Sequence, residues 1–540
     1  FKILPPSLRF TFLSLLVPSL RLDEALIVSR RIEPRMRRDF LRELPGELAL
    51  HCLSFITDAH TLTQAAQVSH HWYSLLQDEQ TWKDMCDWHS FTPIVTPLSS
   101  SRRPSSSRIT ALVPTSAATE SSSTTAAMAA FGMGPSSWQN RNRTVVGPLL
   151  RADPNRNGSS SAGEPGFKAQ FKDAYQTQRN WMQGGRVLKQ FIAVSEDDGV
   201  VTSLAINNHC MIVGMANSRI HIFDAPTARY KCTLVGHERG VWTLRTRSSD
   251  VCGSARGWAE KGMGSRHLVV SGGCDRHVKV WDVATGNCIH SLAGHDSTIR
   301  CLKVLDRRPI AISGSRDKSL RVWDIHKGVL LRQLVGHTGS VRCVEVAGQM
   351  AVSGSYDNTA RVWNVDTGDC IHVLHGHYHQ IYSCAFDGER IITGSLDSTV
   401  RVWSAATGDC LALLQGHTSL VGQIQLIGDR LLTGGSDGRV IVFDLSTYEC
   451  LHRLCAHDNS VTCLQFDDRF VISGGMDGRV KLWDIRTGMF IRELTKPCTS
   501  VWRIGCRDDR VVILAQRGTR TVLEVLTFRP GEVMGKTLEV

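Results

Sequence analysis

From about residue 184 onward, short apolar runs alternate with turns rich in Gly, Asp and Ser. Within each run apolar and polar positions alternate, which is the period of a half-buried strand rather than of a helix. The pattern repeats. Units close on Phe223, Trp281, Trp323, Trp363, Trp403, Phe443 and Trp483, at steps of 58, 42, 40, 40, 40 and 40 residues. A fixed period of this size predicts an array of like units, each burying its apolar face against the next. The long first step predicts an insertion at about 245–266, where Gly and charged residues interrupt the pattern. An eighth, degenerate unit is expected from about Val501 to Leu526. Arg186–Phe191 resembles the segment before each Gly-His turn. It is expected to form the outer strand of the last unit, which closes a ring and removes exposed sheet edges.

Upstream of residue 184 the pattern changes. Residues 1–90 carry helical periodicity. Residues 91–165 are rich in Ser, Thr, Ala and Pro, bury too little apolar surface to offset chain entropy, and are expected to be disordered. In 166–183, Phe167, Phe171 and Tyr175 recur at i, i+4 and i+8, predicting a helix that Trp181 continues.

Composition narrows the class. Hydrophobic residues make up 42% and charged residues 21% of 540 residues, a globular average over more than one domain. Among 17 cysteines, Cys301, Cys343 and Cys463 recur at one register of the repeat. Buried thiols acting as small hydrophobes explain that better than a disulfide framework. No CxxC pair or zinc-spaced His/Cys set occurs, so no metal or cofactor is expected. No nucleophile–base set, P-loop or dinucleotide fingerprint is present, so the chain reads as a non-catalytic binding protein. The stretch Leu8–Leu20 is apolar but broken by Pro18 and followed by no clear cleavage site, which argues against a signal peptide. The missing initiator Met is read as a truncated or trimmed chain. No run is long enough to span a bilayer.

Most units share four side chains. His295, Ser313, Asp317 and Trp323 recur as His337, Ser353, Asp357 and Trp363, then as His377, Thr393, Asp397 and Trp403. This resembles the WD-repeat family, in which the four form an internal hydrogen-bonded chain. One histidine per unit, evenly spread, favours that structural role over metal binding or general-base chemistry.

The stretch at 41–88 opens LRELPGELALHCLSFI. Leu44-Pro45 opens a helix, and Leu48, Cys52 and Phe55 share one face of it. Leu62, Ala66, Val68, Trp72, Leu75 and Leu76 are expected to supply apolar faces for two more helices, with Trp82 on a terminal one. The segment resembles the F-box. The resemblance implies binding to the S-phase-kinase-associated linker protein and, through it, to a cullin, with Leu44, Pro45 and Leu48 at the contact end. The bland reading is a three-helix core in which Leu48 is buried. The fold class expected is therefore an all-β eight-bladed WD-repeat propeller (184–540) with an N-terminal all-α F-box module (41–90). Residues 1–40 occupy the place of a dimerisation segment, implying a homodimer. Arg30, Arg31, Arg35, Arg37 and Arg38 after it read as a nuclear-import signal or as a solvated face.

Two registers of the repeat are expected at one end of the ring. The first, after Val/Ile at the start of the innermost strand, reads Trp242, Arg300, Arg342, Tyr382, Gly422 and Thr462. The second, x in Gly-Ser-x-Asp, reads Cys274, Arg316, Tyr356, Leu396, Ser436 and Met476. Three arginines thus fall on adjacent units three and four. Guanidiniums held together repel unless an anion or a carboxylate sits among them, and their forks match phosphate oxygens. Either each pairs with a neighbouring Asp, or the site awaits an anionic guest.

With the F-box, this set resembles the cell-division-control-type F-box/WD-repeat receptors of cullin-type ubiquitin ligases. The resemblance implies that Arg300, Arg316 and Arg342 bind the phosphate of a phosphorylated degron. Tyr356 assists, Trp242 lines a proline groove, and Tyr382 adds a wall and a hydroxyl. Ser297 and Thr298 stand where a second acidic group sits, and Arg276 and Arg517 match further basic positions. The insertion near Trp242 and the Asp-less turn Gly214–Asn217 leave the edge of that groove open. The alternative is a WD-repeat scaffold that binds partners without phosphate. The net charge of +11 raises nucleic-acid binding, but aromatics are not interleaved with basic residues as a stacking groove requires. Neither nucleic acid nor membrane is expected as a partner. Nucleus and cytoplasm are the expected locations.

Overall fold

The computed structural model describes residues 39–89, 91, 166–192, 199–247, 267–305, 308–507 and 509–530, with 21, 23 and 27 as isolated positions. The expectations for dimerisation and import within 1–40 and for disorder in 91–165 lie outside the described residues, Phe91 aside. The chain divides into two compact units, Phe1–Phe171 and Lys172–Val540.

The second unit is a ring of eight four-stranded antiparallel sheets. Blade one is built from Val201–Ile206, Cys210–Met215, Ile220–Asp224 and Tyr230–Leu234, and the later blades repeat that order. Blade eight combines Ser500–Arg507, Arg510–Arg517 and Arg520–Thr527 with Arg186–Ile192, which pairs antiparallel to the last of them. The ring thus closes as the pattern predicts. The innermost strands of all eight blades neighbour one another in a closed circle around a central channel.

The middle strands of each blade are largely buried, because both faces lie against a neighbouring blade. Ile310–Ser315 and Cys210–Met215 are buried at every position. The predicted four-residue chain is present: His295 bonds Asp317 at 2.7 Å and Ser313 at 2.8 Å, and Trp323 donates to Ser313 at 2.8 Å. Equivalent chains run through blades two, four, five and seven, and blade six keeps the His417–Asp437 and His417–Thr433 bonds but closes on Phe443 in place of the indole. Both ring nitrogens of each histidine are thereby engaged. Asp317 titrates below its ordinary range: burial alone would raise it, but hydrogen bonds from His295 and Ser319 outweigh burial. Cys301, Cys343 and Cys463 are free thiols whose sulfurs lie against Gly314, Gly354 and Gly474, where an added Cβ would meet sulfur at 2.6 Å. Burial pushes the Cys463 thiol up to about 11.

Where the ring closes, Trp181 stacks on Phe528 with centroids 3.7 Å apart, and Asn180 donates to the Phe528 carbonyl at 2.8 Å. Trp181 continues the helix Phe167–Gln183 as expected, and Phe171 is buried, but Tyr175 is exposed.

The first unit holds helices Phe40–Glu43, Gly46–Ser54, Ala59–Ala65, His70–Leu75 and Glu79–Trp88. Asp58, Ser69 and Asp78 cap three of them by accepting from backbone N–H groups. Leu41, Ala49, Leu53, Leu62, Leu76 and Trp82 form the core. Val68 is 63% exposed and supplies no core face, contrary to expectation. It lies in the turn after Ala59–Ala65, beyond the helical stripe.

Candidate functional site

The decisive backbone feature is invisible in the sequence pattern. In every blade the innermost strand carries a β-bulge at its second residue. Pairing to the next strand skips Arg300 between Ile299 and Cys301, and skips Arg342, Tyr382 and Trp242 in the same way. A bulged residue opposes no partner, and its side chain is re-aimed away from the alternation of the strand.

Where the bulged residue is threonine, it is absorbed by the fold. Thr462 donates to Val501 O of the next blade at 2.6 Å and to Gly474 O at 3.1 Å. Thr202 makes the same two bonds, to Val241 O and Gly214 O. Arginine and tryptophan do something else. The Arg300 guanidinium lies over the Trp242 ring of the previous blade, 4.7 Å from its centroid. Arg342 lies 5.9 Å over Tyr382 of the next. Such cation–π contacts hold a guanidinium in place without neutralising it.

The second register joins the first through the backbone. Arg316 N donates to Thr298 O at 2.9 Å and Tyr356 N to Ser340 O at 2.9 Å, each two residues before a bulged arginine. Both registers therefore share one end of the ring. Tyr356 stacks against Tyr382 at 5.2 Å. The Tyr382 hydroxyl titrates above its ordinary value, first through its hydrogen bond with Tyr356 and then through burial. Trp242 donates its indole N–H to Cys274 Sγ at 2.6 Å. Ser297 and Thr298 are half-buried directly before Arg300, and the Ser297 carbonyl accepts from Ser315 Oγ at 3.0 Å.

Among the described residues, no carboxylate lies within 4.0 Å of Arg300, Arg316 or Arg342. The nearby aspartates are engaged elsewhere: Asp317 and Asp357 serve the histidines of their own blades. The neighbouring-Asp explanation of these arginines fails. Arg316 and Tyr356 are exposed, and Arg300 and Arg342 half-buried, so a guest can reach all four.

One expectation needs correcting. Arg517 is not a free basic position: its Nη2 pairs with Glu524 at 2.6 Å. Burial raises the Glu524 carboxyl, and the Arg517 charge works against that shift. The insertion expected near Trp242 lies outside the described residues; the strand before it ends at Arg247 and the next begins at Leu268. Arg276 is exposed on the same end as the trio, in a left-handed turn position with φ 69°. Arg503 was missed. It follows the bulge of blade eight, in a Val-Trp-Arg sequence that aligns with Ile-Arg-Cys of blade three. At the other end of the ring, a cavity of about 800 Å³ is lined by Leu305, Arg308, Gln349 and Asp366. Its arginine is already paired with Asp366.

In the first unit, Pro45 caps the helix Gly46–Ser54, and Leu48 stands 52% exposed on it beside exposed Phe55 and Cys52. The helix buries Ala49 and Leu53 instead. Leu48 is thus no core residue, and with Pro45 and half-buried Leu44 it borders an apolar surface left open.

Known families match both units. The F-box-like family matches residues 41–88. The WD domain, G-beta repeat family matches 229–282, 286–324, 328–364, 368–404, 408–444 and 448–484. The chain belongs to the F-box/WD-repeat proteins. It is 30% identical over 128 residues to Cell division control protein 4 of Saccharomyces cerevisiae, covering 24% of this chain and 14% of that protein. It is 34% identical over 89 residues to the probable E3 ubiquitin ligase complex SCF subunit scon-2 of Neurospora crassa, covering 16% of this chain and 14% of that one. The crystal structure of the computationally designed Ika8 protein matches with a TM-score of 0.54 at 32% identity, covering 61% of this chain and 96% of that one. The chain spans under a third of the length of the curated relatives it matches.

Proposed function

We propose that this F-box/WD-repeat protein is the substrate-recognition subunit of a cullin-type ubiquitin ligase, and that its propeller binds phosphorylated degrons. The observation that carries the reading is the trio Arg300, Arg316 and Arg342, uncompensated by any carboxylate within 4.0 Å among the described residues. A guest must then bring the negative charge, and guanidinium forks donate in pairs to phosphate oxygens. Tyr356 adds a hydroxyl beside the trio, Trp242 and Tyr382 add aromatic walls, and Ser297 and Thr298 add polar groups for a second acidic residue. Leu44, Pro45 and Leu48 offer an open apolar patch to the S-phase-kinase-associated linker protein, which joins the chain to the cullin. The similarity to a relative named as an SCF ligase subunit supports that assignment. The chain is an adaptor. It raises the effective concentration of substrate near the transferring subunits and performs no bond chemistry itself.

The test is a pull-down from cells, with and without phosphatase, comparing the wild type with an Arg300→Ala/Arg316→Ala/Arg342→Ala variant. Capture of the same proteins before and after phosphatase, or by the triple variant, identifies a phosphate-independent scaffold instead. Capture that disappears under both treatments upholds the receptor.

A further inference from the structure

The mouth does not hold all of the unmatched positive charge. Inside the ring, the innermost strands place Arg245 in blade two and Arg503 in blade eight, on either side of blade one. Arg503 donates from Nε and Nη2 to Thr202 O at 3.2 and 3.1 Å. Arg245 donates from Nη1 to Leu244 O at 2.9 Å. Each guanidinium is thus anchored by backbone carbonyls, which orient it without cancelling its charge. Among the described residues, neither has a carboxylate within 4.0 Å. Glu345 lies near Arg245 but is bonded to Lys303 at 2.7 Å. Among the described residues of the innermost strands, Arg245, Lys303, Arg342 and Arg503 stand against the single carboxylate Glu345.

The cost of this arrangement is visible. Burial pulls both guanidiniums below their ordinary value, and for Arg503 the charges of Arg342 and Arg245 push the same way. Charges buried without partners destabilise a fold unless a counter-ion joins them. Both side chains nevertheless keep some accessible surface in the channel. Blade one, between them, presents the small residues Ser203 and Ala205 at the matching positions. The Ser203 hydroxyl is buried and without a hydrogen-bond partner.

We propose that the channel below the mouth is a separate oxyanion site, in which Arg245 and Arg503 hold a phosphate-class anion shared electrostatically with Arg342. The ion comes either free from solution or as an acidic group of a bound peptide reaching inward. The proposal does not depend on the ligase role, since its first test uses neither peptide nor ligase.

The full chain is melted in inorganic phosphate and in chloride at matched ionic strength. Wild type is expected to melt about 2 °C or more higher in phosphate, because an ion that binds only the folded state stabilises it. Arg245→Met and Arg503→Met are expected to melt at or above wild type in chloride, having lost an unpaired buried charge, and to lose most of the gain from phosphate. Arg245→Lys, which keeps the charge and loses the fork, retains a reduced gain and guards against misfolding of the Met variants. Arg316→Met removes only what phosphate gains at the rim trio and keeps the gain that Arg245 and Arg503 provide. If phosphate alone does nothing, the second arm decides. Loss of five-fold or more in affinity for a doubly phosphorylated peptide on Arg245→Met assigns the site to a peptide-borne group. The proposal is overturned if Arg245→Met changes neither response, or if Arg316→Met abolishes the gain from free phosphate and thereby places the ion at the rim.

Discussion

Blades three and seven are built alike and end differently. Both carry the His–Asp–Ser–Trp chain, both bury every residue of the second strand, and both bulge at the second residue of the first. At that bulge blade seven has Thr462, whose hydroxyl is consumed by two backbone carbonyls. Blade three has Arg300, which bonds no carboxylate and rests on a tryptophan of the blade before it. The contrast shows that the fold does not need arginine at this place. A small hydroxyl knits two blades together there, and in blades two to five that stitch is given up for Trp242, Arg300, Arg342 and Tyr382. Arg300 and Arg342 replace that structural bond and take up only aromatic contacts in its place.

The comparison can be broken most severely through what the blades share. In the full chain, lowering the pH should destabilise the ring as a whole. Burial holds His377, His417 and His457 below their ordinary value, so the folded state takes up fewer protons than the unfolded chain as pH falls below about 6.5. The tetrad aspartates, also held low, add a second loss below about 3.9, the unfolded carboxyl value. Denaturation midpoints should therefore be constant above pH 7 and fall steadily below 6. A midpoint that rises on acidification would contradict the neutral, buried state of these histidines.

Deleting one tetrad indole comes next. Trp323→Ala and Trp483→Ala should each cost roughly 3–5 kcal/mol, the range for a large buried aromatic. Urea titration should find the two costs within a factor of two, since the side chains are 2% and 7% exposed. A large cost in only one would mean that the blades are not equivalent scaffolds.

The difference between the blades appears only in binding. Arg316→Ala should weaken a doubly phosphorylated peptide by about 1.5–3 kcal/mol, the scale of a hydrogen bond to a charged group. Met476→Ala, at the same register of blade seven, should change it by less than about 0.5 kcal/mol. Calorimetric titration checks both, and equal effects would erase the functional asymmetry of the ring. Smallest is the stitch itself. Thr462→Val should cost stability by about 0.5–1.5 kcal/mol and leave peptide affinity unchanged.

Much of this was legible in the chain. The tetrad, the seven closing aromatics and the velcro strand Arg186–Ile192 follow from a period that any register slip would destroy. The arginine trio was legible because other blades supply an internal control at each position. What failed did so for tertiary reasons. Arg517 looks basic and free in sequence, since Glu524 is seven residues away and only the pairing of the two middle strands of blade eight brings it to 2.6 Å. Leu48 read equally well as core or contact residue until the helix showed Ala49 and Leu53 facing inward.

The amino-acid sequence by itself determined the architecture, because blade period and strand alternation are local and recur around the ring, and the tetrad chemistry recurs in blades two to seven, with each unit supporting the same reading of the next. Only the tertiary structure decided which charges are left unmatched. Whether a guanidinium is neutralised depends on atoms within about 4 Å in space. Across blades those atoms come from residues forty or hundreds of positions apart, as when Thr202 meets Arg503 at the closure of the ring.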